Sequence, residues 1–598
     1  MKKKLQGREN NMNSSFRSIQ ILINLLKQYD IKDVVLSPGG SDIPLIHSIE
    51  TDEWFKCYSV VDERSAAYFA MGVAQQKNRP VACVCTSGTA VCNYLPGITE
   101  AFYQSAPVLA ITADKNPYFQ GQLEIQKIEQ KNIFNGVIKK SVELPIVENS
   151  DDEWLCNRLV NEALLALTHR GTGPVHINVP VVGRTDLYDD KKLPDERKIN
   201  IVEWDSDDST WNEYAQKLSK AKRILFVMGQ NVVFTDECKL LLNQLHEKCN
   251  CVYSVEHLSN LNCNGCVYTY PVSEINAGTS LESLVPDLVV SVGNNLAAYN
   301  LRPFLRKHYK QMNNWYVSKS GDVRDAYKCL TAIFETRLED FLKKMLSFIS
   351  DESKNDGSYE ALWNKELNKI TVTDFEFSNL YVAKKLASVI PENSVLHLAI
   401  LNSTRAMQYY KLANGVQTYS NVGALGIDGC LSTFAGQAAA TDELAYILIG
   451  DLSFFYDMNA AGLRSIGPNV RIILLNNGGG SEFHFMLGKE KISTINEYIC
   501  AEHGNVAAGW AMSLGYDYYT ASTPEEFDTV IGKFGEKSDA PMFLEVLTDM
   551  EDDASITHKF YKENRVVTKT TLAKKIAKSL LGDKGITKVR KLLEVIKG

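Results

Sequence analysis

The chain has 598 residues, of which 45% are hydrophobic and 23% charged, and a formal net charge of −8. That length exceeds a single core and predicts roughly three domains of ~150–200 residues in an ordinary globular protein. The negative balance offers no broad attraction to phosphate, which argues against nucleic acid as a partner, and no apolar run approaches the ~20 residues that span a bilayer.

The opening MKKKLQGREN is basic but leads into no apolar stretch, so it does not read as a secretory signal. A cytoplasmic setting is expected, with the 13 cysteines as reduced thiols. Across residues 12–190, the β-rich runs DVVLS, CYSVV, VACVCTS, PVLAITA and PVHINVP alternate with helical stretches such as Ser65–Gln76. Alternation of that kind predicts a mainly parallel sheet covered by helices on both faces. Val61–Ala67 (VDERSAA) opens one helix, and Glu63 taken alone is a first-turn acid favoured by the helix dipole. Residues 186–198 (DLYDDKKLPDERK) read as a linker.

A second α/β region, 199–350, carries the strands RILFVMG, CVYSV and DLVVSVGNN. Cys249, Cys251, Cys263 and Cys266 stand here as C-x-C and C-x-x-C, a set that could hold zinc tetrahedrally. C-x-C is not the usual zinc spacing, and free cysteine also serves as a small buried hydrophobe, which is the favoured reading. The polar stretch Ser350–Ser358 predicts a second linker.

The third region, 359–552, alternates again, with SVLHLAI, LAYILIGD, VRIILLNN and MFLEVLT as strands. Gly450-Asp451-Leu452-Ser453 follows one of these strands and Asn476-Asn477 the next. An acid and an amide at neighbouring parallel strand ends offer oxygen ligands to a hard divalent cation, and the Gly479 carbonyl could add a third. The glycines 478–480 allow close approach of backbone to a phosphate, in the crevice where open parallel sheets bind ligands. Gly-Asp alone would be an ordinary capped turn. The last region, 553–598, is a basic tail with helical apolar spacing. Such a tail can lie on an anionic membrane or pack on its own protein, but a solvated pair of helices is the favoured reading.

Taken together, Gly450-Asp451, Asn476-Asn477, Val61–Ala67 and Cys85–Ala90 (CTSGTA) resemble the motifs of thiamine diphosphate (ThDP) enzymes. The chain is most similar to the 2-succinyl-5-enolpyruvyl-6-hydroxy-3-cyclohexene-1-carboxylate (SEPHCHC) synthases of menaquinone biosynthesis. Further matching segments are Leu36–Gly39, Leu109–Asp114, Leu258–Leu261, Tyr419–Gly429 and Gly450–Asp457. The resemblance implies an α/β chain of three domains: pyrimidine-binding (12–190), central (199–350) and diphosphate-binding (359–552). It implies a homodimer or homotetramer with active sites between subunits. Glu63 would face the aminopyrimidine ring and activate the cofactor. Asp451, Asn477 and Gly479 would hold Mg²⁺, and Ile427 would be the apolar wedge that bends ThDP. Ser87, Gly88, Thr89, Ser420, Asn421, Gly450, Leu452 and Ser453 would line the cofactor.

The substrate shell departs from the family. Its S-P-G-S-R-S-T-P-L is here SPGGSDIPL, with Ser41 for arginine. Its A-D-R-P has Lys115-Asn116, its S-N-R-G-A has Val422, and an Asn-Gln pair becomes Ile125-Gln126. A further family arginine falls at Met407, with Arg405 nearby. The family arginines clamp substrate carboxylates, and each such charge-assisted clamp is worth ~1.5–3 kcal/mol. Glu482 replaces an apolar residue, and in an apolar site a carboxylic acid can serve as general acid or base. Ser41, Lys115, Gln126, Arg405 and His484 are the remaining substrate-contact candidates. The expected activity is 2-oxo acid decarboxylation and carboligation with an unidentified donor and acceptor. A genuine SEPHCHC synthase acting on isochorismate and 2-oxoglutarate, or a non-catalytic paralogue docking through its tail, are the alternatives.

Overall fold

The computed structural model describes residues 12–190, 192–230, 232–277, 281–350, 355–487 and 492–565. The basic tail expected over 553–598 lies outside these residues from 566 onward. The chain divides into two compact units, Met1–Val202 with Gly321–Ile333, and Glu203–Ser320 with Phe334–Gly598.

The first unit is built on a six-stranded sheet. Its strands are β1 (Asp33–Leu36), β2 (Lys56–Ser59), β3 (Val81–Cys85), β4 (Val108–Asp114), β5 (Lys140–Glu143) and β6 (Val175–Pro180), in the order β2-β1-β3-β4-β6-β5 and parallel throughout. Interior strands are continuous apolar runs because both faces are covered, and neighbouring residues enter opposite cores. Val34, Ala82 and Val84 pack with helices α1 (Arg17–Gln28), α2 (Ile43–Glu50) and α5 (Ser150–Ala166). Val35, Val81 and Cys83 pack with α3 (Glu63–Lys77) and α4 (Thr89–Tyr103). Small residues bring α3 and α4 together: a Cβ on Gly97 would lie 2.6 Å from Ala67 Cβ and 2.9 Å from the Tyr68 amide.

The second unit holds two sheets. Five strands lying wholly within it, β7 (Ile224–Met228), β8 (Val252–Val255), β9 (Cys266–Tyr268), β10 (Leu288–Val292) and β11 (Asn313–Val317), run parallel in the order β9-β8-β7-β10-β11. The next sheet has β12 (Val395–Leu398), β13 (Gln417–Tyr419), β14 (Ala445–Gly450), β15 (Val470–Asn476), β16 (Asp517–Ala521) and β17 (Met542–Leu547). Its order is β13-β12-β14-β15-β17-β16, again all parallel. Counted within each sheet, that is the order of the first unit's sheet: second, first, third, fourth, sixth, fifth. Helices α6 (Asn379–Val389), α7 (Asn402–Met407) and α11 (Met550–Asn564) cover one face of this sheet, and α8 (Cys430–Ala439) and α9 (Asp451–Tyr456) the other. A short helix, α10 (Ser481–Met486), follows β15.

These parallel sheets with interleaved helices are the α/β class expected. Among the described residues no helix is long and apolar enough to cross a membrane. Nor, among them, do any three of Cys249, Cys251, Cys263 and Cys266 come within reach of one shared ion, although Cys263 and Cys266 stand 3.5 Å apart at their sulfurs. The zinc arrangement is therefore not formed.

The α3–α4 packing gives a test in which two effects oppose each other. Helix propensity alone would make Gly97→Ala stabilising by about 1 kcal/mol. With backbone 2.9 Å from the new methyl, crowding should win, for a net destabilisation of about 1–3 kcal/mol. The urea midpoint should fall with an unchanged slope.

Candidate active site

The sheet order reverses direction between β1 and β3, the place where open parallel sheets bind ligands beyond the strand ends. The chain leaving β1 is Ser37–Asp42, and that leaving β3 is Thr86–Gly88. They are locked together. A Cβ on Gly39 would fall 2.2 Å from Thr86 Cβ, Thr86 Oγ1 accepts the Ser41 amide at 3.2 Å, and the Ser41 and Ser87 hydroxyls are 3.2 Å apart. Gly88, at φ +82°, caps α4 before the exposed Thr89, and its amide donates to Gln130 Oε1 at 2.9 Å. Gln126 passes directly over Gly88: a Cβ there would be 3.4 Å from the Gln126 Cβ.

Glu63 opens α3 and is half-buried. Asp62 caps the helix by accepting the Ser65 amide at 3.1 Å, and Ser37 Oγ donates to the Val60 carbonyl at 2.8 Å, which ties this turn to the end of β1. Ser41, Ser87, Gly88 and Gln126 thus share one loop cluster, with Glu63 on the turn next to it. Lys115 is half-buried and makes no ion pair among the described residues. The buried cation of this loop is Lys127, which no sequence motif singles out. Its ammonium sits 2.6 Å from Asp114 Oδ2, where Asn178 Nδ2 also donates at 2.9 Å.

Asp42 lies in the SPGGSDIPL segment, with no role assigned to it from sequence. It is fully buried, and neither carboxylate oxygen closes a hydrogen bond among the described residues. Burial pushes its carboxyl up to about 7, against the pull of the backbone at Asp42 and Gly39, and the charge of Glu63 adds to the rise.

In the second unit the same topological position lies between β12 and β14. Asp451 begins α9 immediately after β14, is 3% exposed, and its Oδ1 accepts the Leu452 amide at 2.7 Å. Its Oδ2 accepts three successive amides from the end of β15: Asn477 at 3.1 Å, Gly478 at 2.8 Å and Gly479 at 3.0 Å. Burial raises the Asp451 carboxyl above its ordinary range while these amides and the nearby His503 pull it back. Gly479 admits no side chain, since a Cβ would lie 2.8 Å from the Cys500 carbonyl.

The two asparagines play different parts. Asn476 Nδ2 donates to buried Glu545 at 2.7 Å and to the Asn505 carbonyl at 2.8 Å, a structural role. Asn477 Nδ2 donates to Asp553 Oδ2 at 2.8 Å, and its Oδ1 accepts no hydrogen bond among the described residues. Asp451 after β14 is thus bound to the loop after β15, which carries the Asn477 side-chain oxygen and the Gly479 carbonyl. Oxygen donors of these types suit a hard cation.

Around this loop, Ser453 Oγ donates to the Ile427 carbonyl at 2.8 Å, which fixes half-buried Ile427 beside the start of α9. Asn421 Nδ2 donates to Thr433 Oγ1 at 3.2 Å. Ser420 is 3% exposed and its hydroxyl is unpartnered, while its carbonyl accepts from Gln230 at 3.0 Å.

Glu482 is held bidentately by Arg405, at 2.5 and 2.9 Å. His484 is buried, with Nε2 2.7 Å from Asn496 Oδ1.

Residues 17–133 match the family model described as the N-terminal TPP-binding domain of thiamine pyrophosphate enzymes. Over 560 residues the chain is 37% identical to the SEPHCHC synthase of Phocaeicola vulgatus, covering 92% of this chain and 99% of that protein. The SEPHCHC synthases of Bacteroides thetaiotaomicron and Bacteroides fragilis are each 35% identical, over 92% of this chain and 99% and 100% of theirs.

Asp42 supplies a stability test. A carboxyl raised from 3.8 to about 7 favours the folded state only when protonated, so its contribution is full below about pH 4 and vanishes as pH rises through 7. Asp42→Asn should therefore stabilise the fold relative to wild type at pH 8–9 by on the order of 2–4 kcal/mol, seen as a higher melting temperature, with the gap closing below pH 4. A pH series of melting curves reads it directly.

Proposed function

Because the chain belongs to the SEPHCHC synthase family of thiamine diphosphate-dependent enzymes, we propose that it decarboxylates a 2-oxo acid and forms a carbon–carbon bond in a substrate pocket that differs from its relatives'. The observation that carries the cofactor reading is the convergence of three amides and Asp451 on the loop that ends β15. Bound thiamine diphosphate supplies the nucleophilic carbon and the electron sink for such chemistry.

The chain's own residues do the rest. Asp451, the Asn477 side-chain oxygen and the Gly479 carbonyl would hold Mg²⁺, whose charge would favour a diphosphate there. Gly450, Leu452 and Ser453 present the first turn of α9 beside it, where helix amides favour an anion. Ile427 supports the cofactor from its apolar side, and Ser420 and Asn421 offer polar contacts. On the other half, Ser87, Gly88 and Thr89 form a side-chain-poor turn against which a flat ring can lie. Glu63 exchanges a proton with the aminopyrimidine ring. Ser41, Lys115 and Gln126 face the substrate without the family's guanidinium forks, which weakens the hold on dicarboxylates.

A homodimer or homotetramer in the cytoplasm, with active sites between subunits, completes the reading. Its support is the loop that carries Gln126. Tyr118, Leu123 and Ile125 are 81%, 99% and 80% exposed there, more apolar surface than a free monomer keeps in one loop. The thirteen cysteines are all unpaired, as in a reducing compartment.

A second reading, genuine SEPHCHC synthase, is favoured by 37% identity across nearly the whole of a protein of that name. One assay separates the two. The purified protein with ThDP and Mg²⁺ should release CO₂ from a member of a 2-oxo acid panel, and product from isochorismate with 2-oxoglutarate should be slow. Robust SEPHCHC formation selects the second reading.

Glu63→Gln should lower turnover by about 10²–10⁴-fold while ThDP with Mg²⁺ still raises the melting temperature. Asp451→Ala should abolish that rise, because it removes both a metal ligand and the acceptor that orders three amides. If ThDP and Mg²⁺ leave the wild-type melting temperature unchanged, the cofactor assignment fails.

A further inference from the structure

Arg405 and Glu482 are both largely buried, with side chains 8% and 14% exposed. They meet fork to fork: one guanidinium nitrogen lies 2.5 Å from Oε2 and the other 2.9 Å from Oε1. The first nitrogen also donates to Asn402 Oδ1 at 2.5 Å, and Asn402 Nδ2 donates to Ser481 Oγ at 2.7 Å. The guanidinium stacks 4.6 Å from the centre of the Phe485 ring. Asn402, Arg405, Ser481 and Phe485 wall a small cavity, with Asn379 and Asp553 on its lining as well. Glu482 lies three residues past Gly479 of the phosphate-type loop, so the pair stands at the edge of the proposed cofactor site.

A buried ion pair is seldom worth more to stability than the apolar pair that could replace it, so stability alone gives little reason for one here. Its geometry suggests another use. A planar guanidinium holding a carboxylate through two parallel N–H···O bonds is also how arginine binds a ligand carboxylate. Glu482 occupies on Arg405 the place such a ligand would take. The other carboxylates nearby are committed: Glu274 accepts from Asn300 at 2.7 and 2.6 Å, and Asp553 from Asn379, Asn477 and Thr548.

We propose that Glu482 is a built-in replacement for a substrate carboxylate, so that Arg405 is neutralised from within and the site selects 2-oxo acids lacking a second carboxylate at that end. The term substrate rests on the function proposed above, but the pairing itself can be tested without turnover. Glu482→Ala should leave Arg405 with an open anion position.

In the ThDP- and Mg²⁺-loaded full chain, acetate at millimolar concentration should raise the melting temperature of the Glu482→Ala protein. It should leave the wild type and an Arg405→Met/Glu482→Leu double variant unmoved. In turnover, the rate ratio of 2-oxoglutarate to 2-oxobutyrate should rise about 10–100-fold in Glu482→Ala, the worth of one charge-assisted fork. Should Glu482→Ala not fold, Glu482→Gln, which keeps the shape without the charge, should move the ratio the same way. An unchanged ratio with no acetate response overturns the proposal, as does an equal gain in the double variant. Failure of ThDP to bind would sink the enzyme reading, while the acetate response would still decide the pairing.

Discussion

A single oxygen, Asp451 Oδ2, accepts the amides of Asn477, Gly478 and Gly479. A carboxylate 3% exposed is costly unless donors surround it, and here the donors are backbone, so the loop must keep one shape to keep the charge. The shape propagates. The Gly480 amide donates to the Cys500 carbonyl at 2.7 Å and the His503 amide to the Gly478 carbonyl at 2.9 Å, lacing the loop to the 500–503 segment. The close Cys500 carbonyl is in turn what forbids a side chain at Gly479. Whatever binds beside this loop meets a surface fixed before it arrives, which is the condition for electrostatic preorganisation.

The two six-stranded sheets share one strand order although the chain shows no repeat at residue level. Right-handed crossovers between parallel strands explain how unrelated sequences reach the same order. The consequence for function is positional, because the point where the order reverses is where open parallel sheets bind ligands. The motifs at Ser37–Asp42 and Thr86–Gly88 sit at one such point, and those around Asn402 and Asp451 at the other. Sequence patterning exposes the interior strands because they are apolar on both faces, as in VACVC and AYILIG. It passes over KSVE, QTY and DYYTA. These are edge strands, buried on fewer sides and therefore lacking the apolar run that would mark them.

The same distinction governs the site. Contiguous motifs are legible, since Asp451 and Asn477 each announce a strand end. Their supports are not, because hydrogen-bond partners are set by folding and not by spacing. Gln130 reaches Gly88 from 42 residues away, Asp553 orients Asn477 from 76, and Arg405 claims Glu482 from 77. Lys127 pairs with Asp114 from 13 residues away, and nothing in the spacing marks it. A lone acid in sequence is ambiguous between chemistry and pairing, and Glu482 is resolved only by the position of its partner.

Asp553 carries a further implication for how the unit holds together. It lies on α11, the last described helix, yet it accepts from Asn477 on the loop after β15, from Thr548 beyond β17 and from the Asn379 amide at the start of α6. Burial lifts its carboxyl to about 6, so those donors offset only part of the desolvation. A group left with that deficit persists where it organises something else, and here it holds the Asn477 side-chain amide. Fraying of α11 would remove the acceptor, free Asn477 to rotate, and release the loop at a point distant in sequence from the break. The order of α11 and the order of the loop after β15 are therefore linked through Asp553, and ordering either one favours the other.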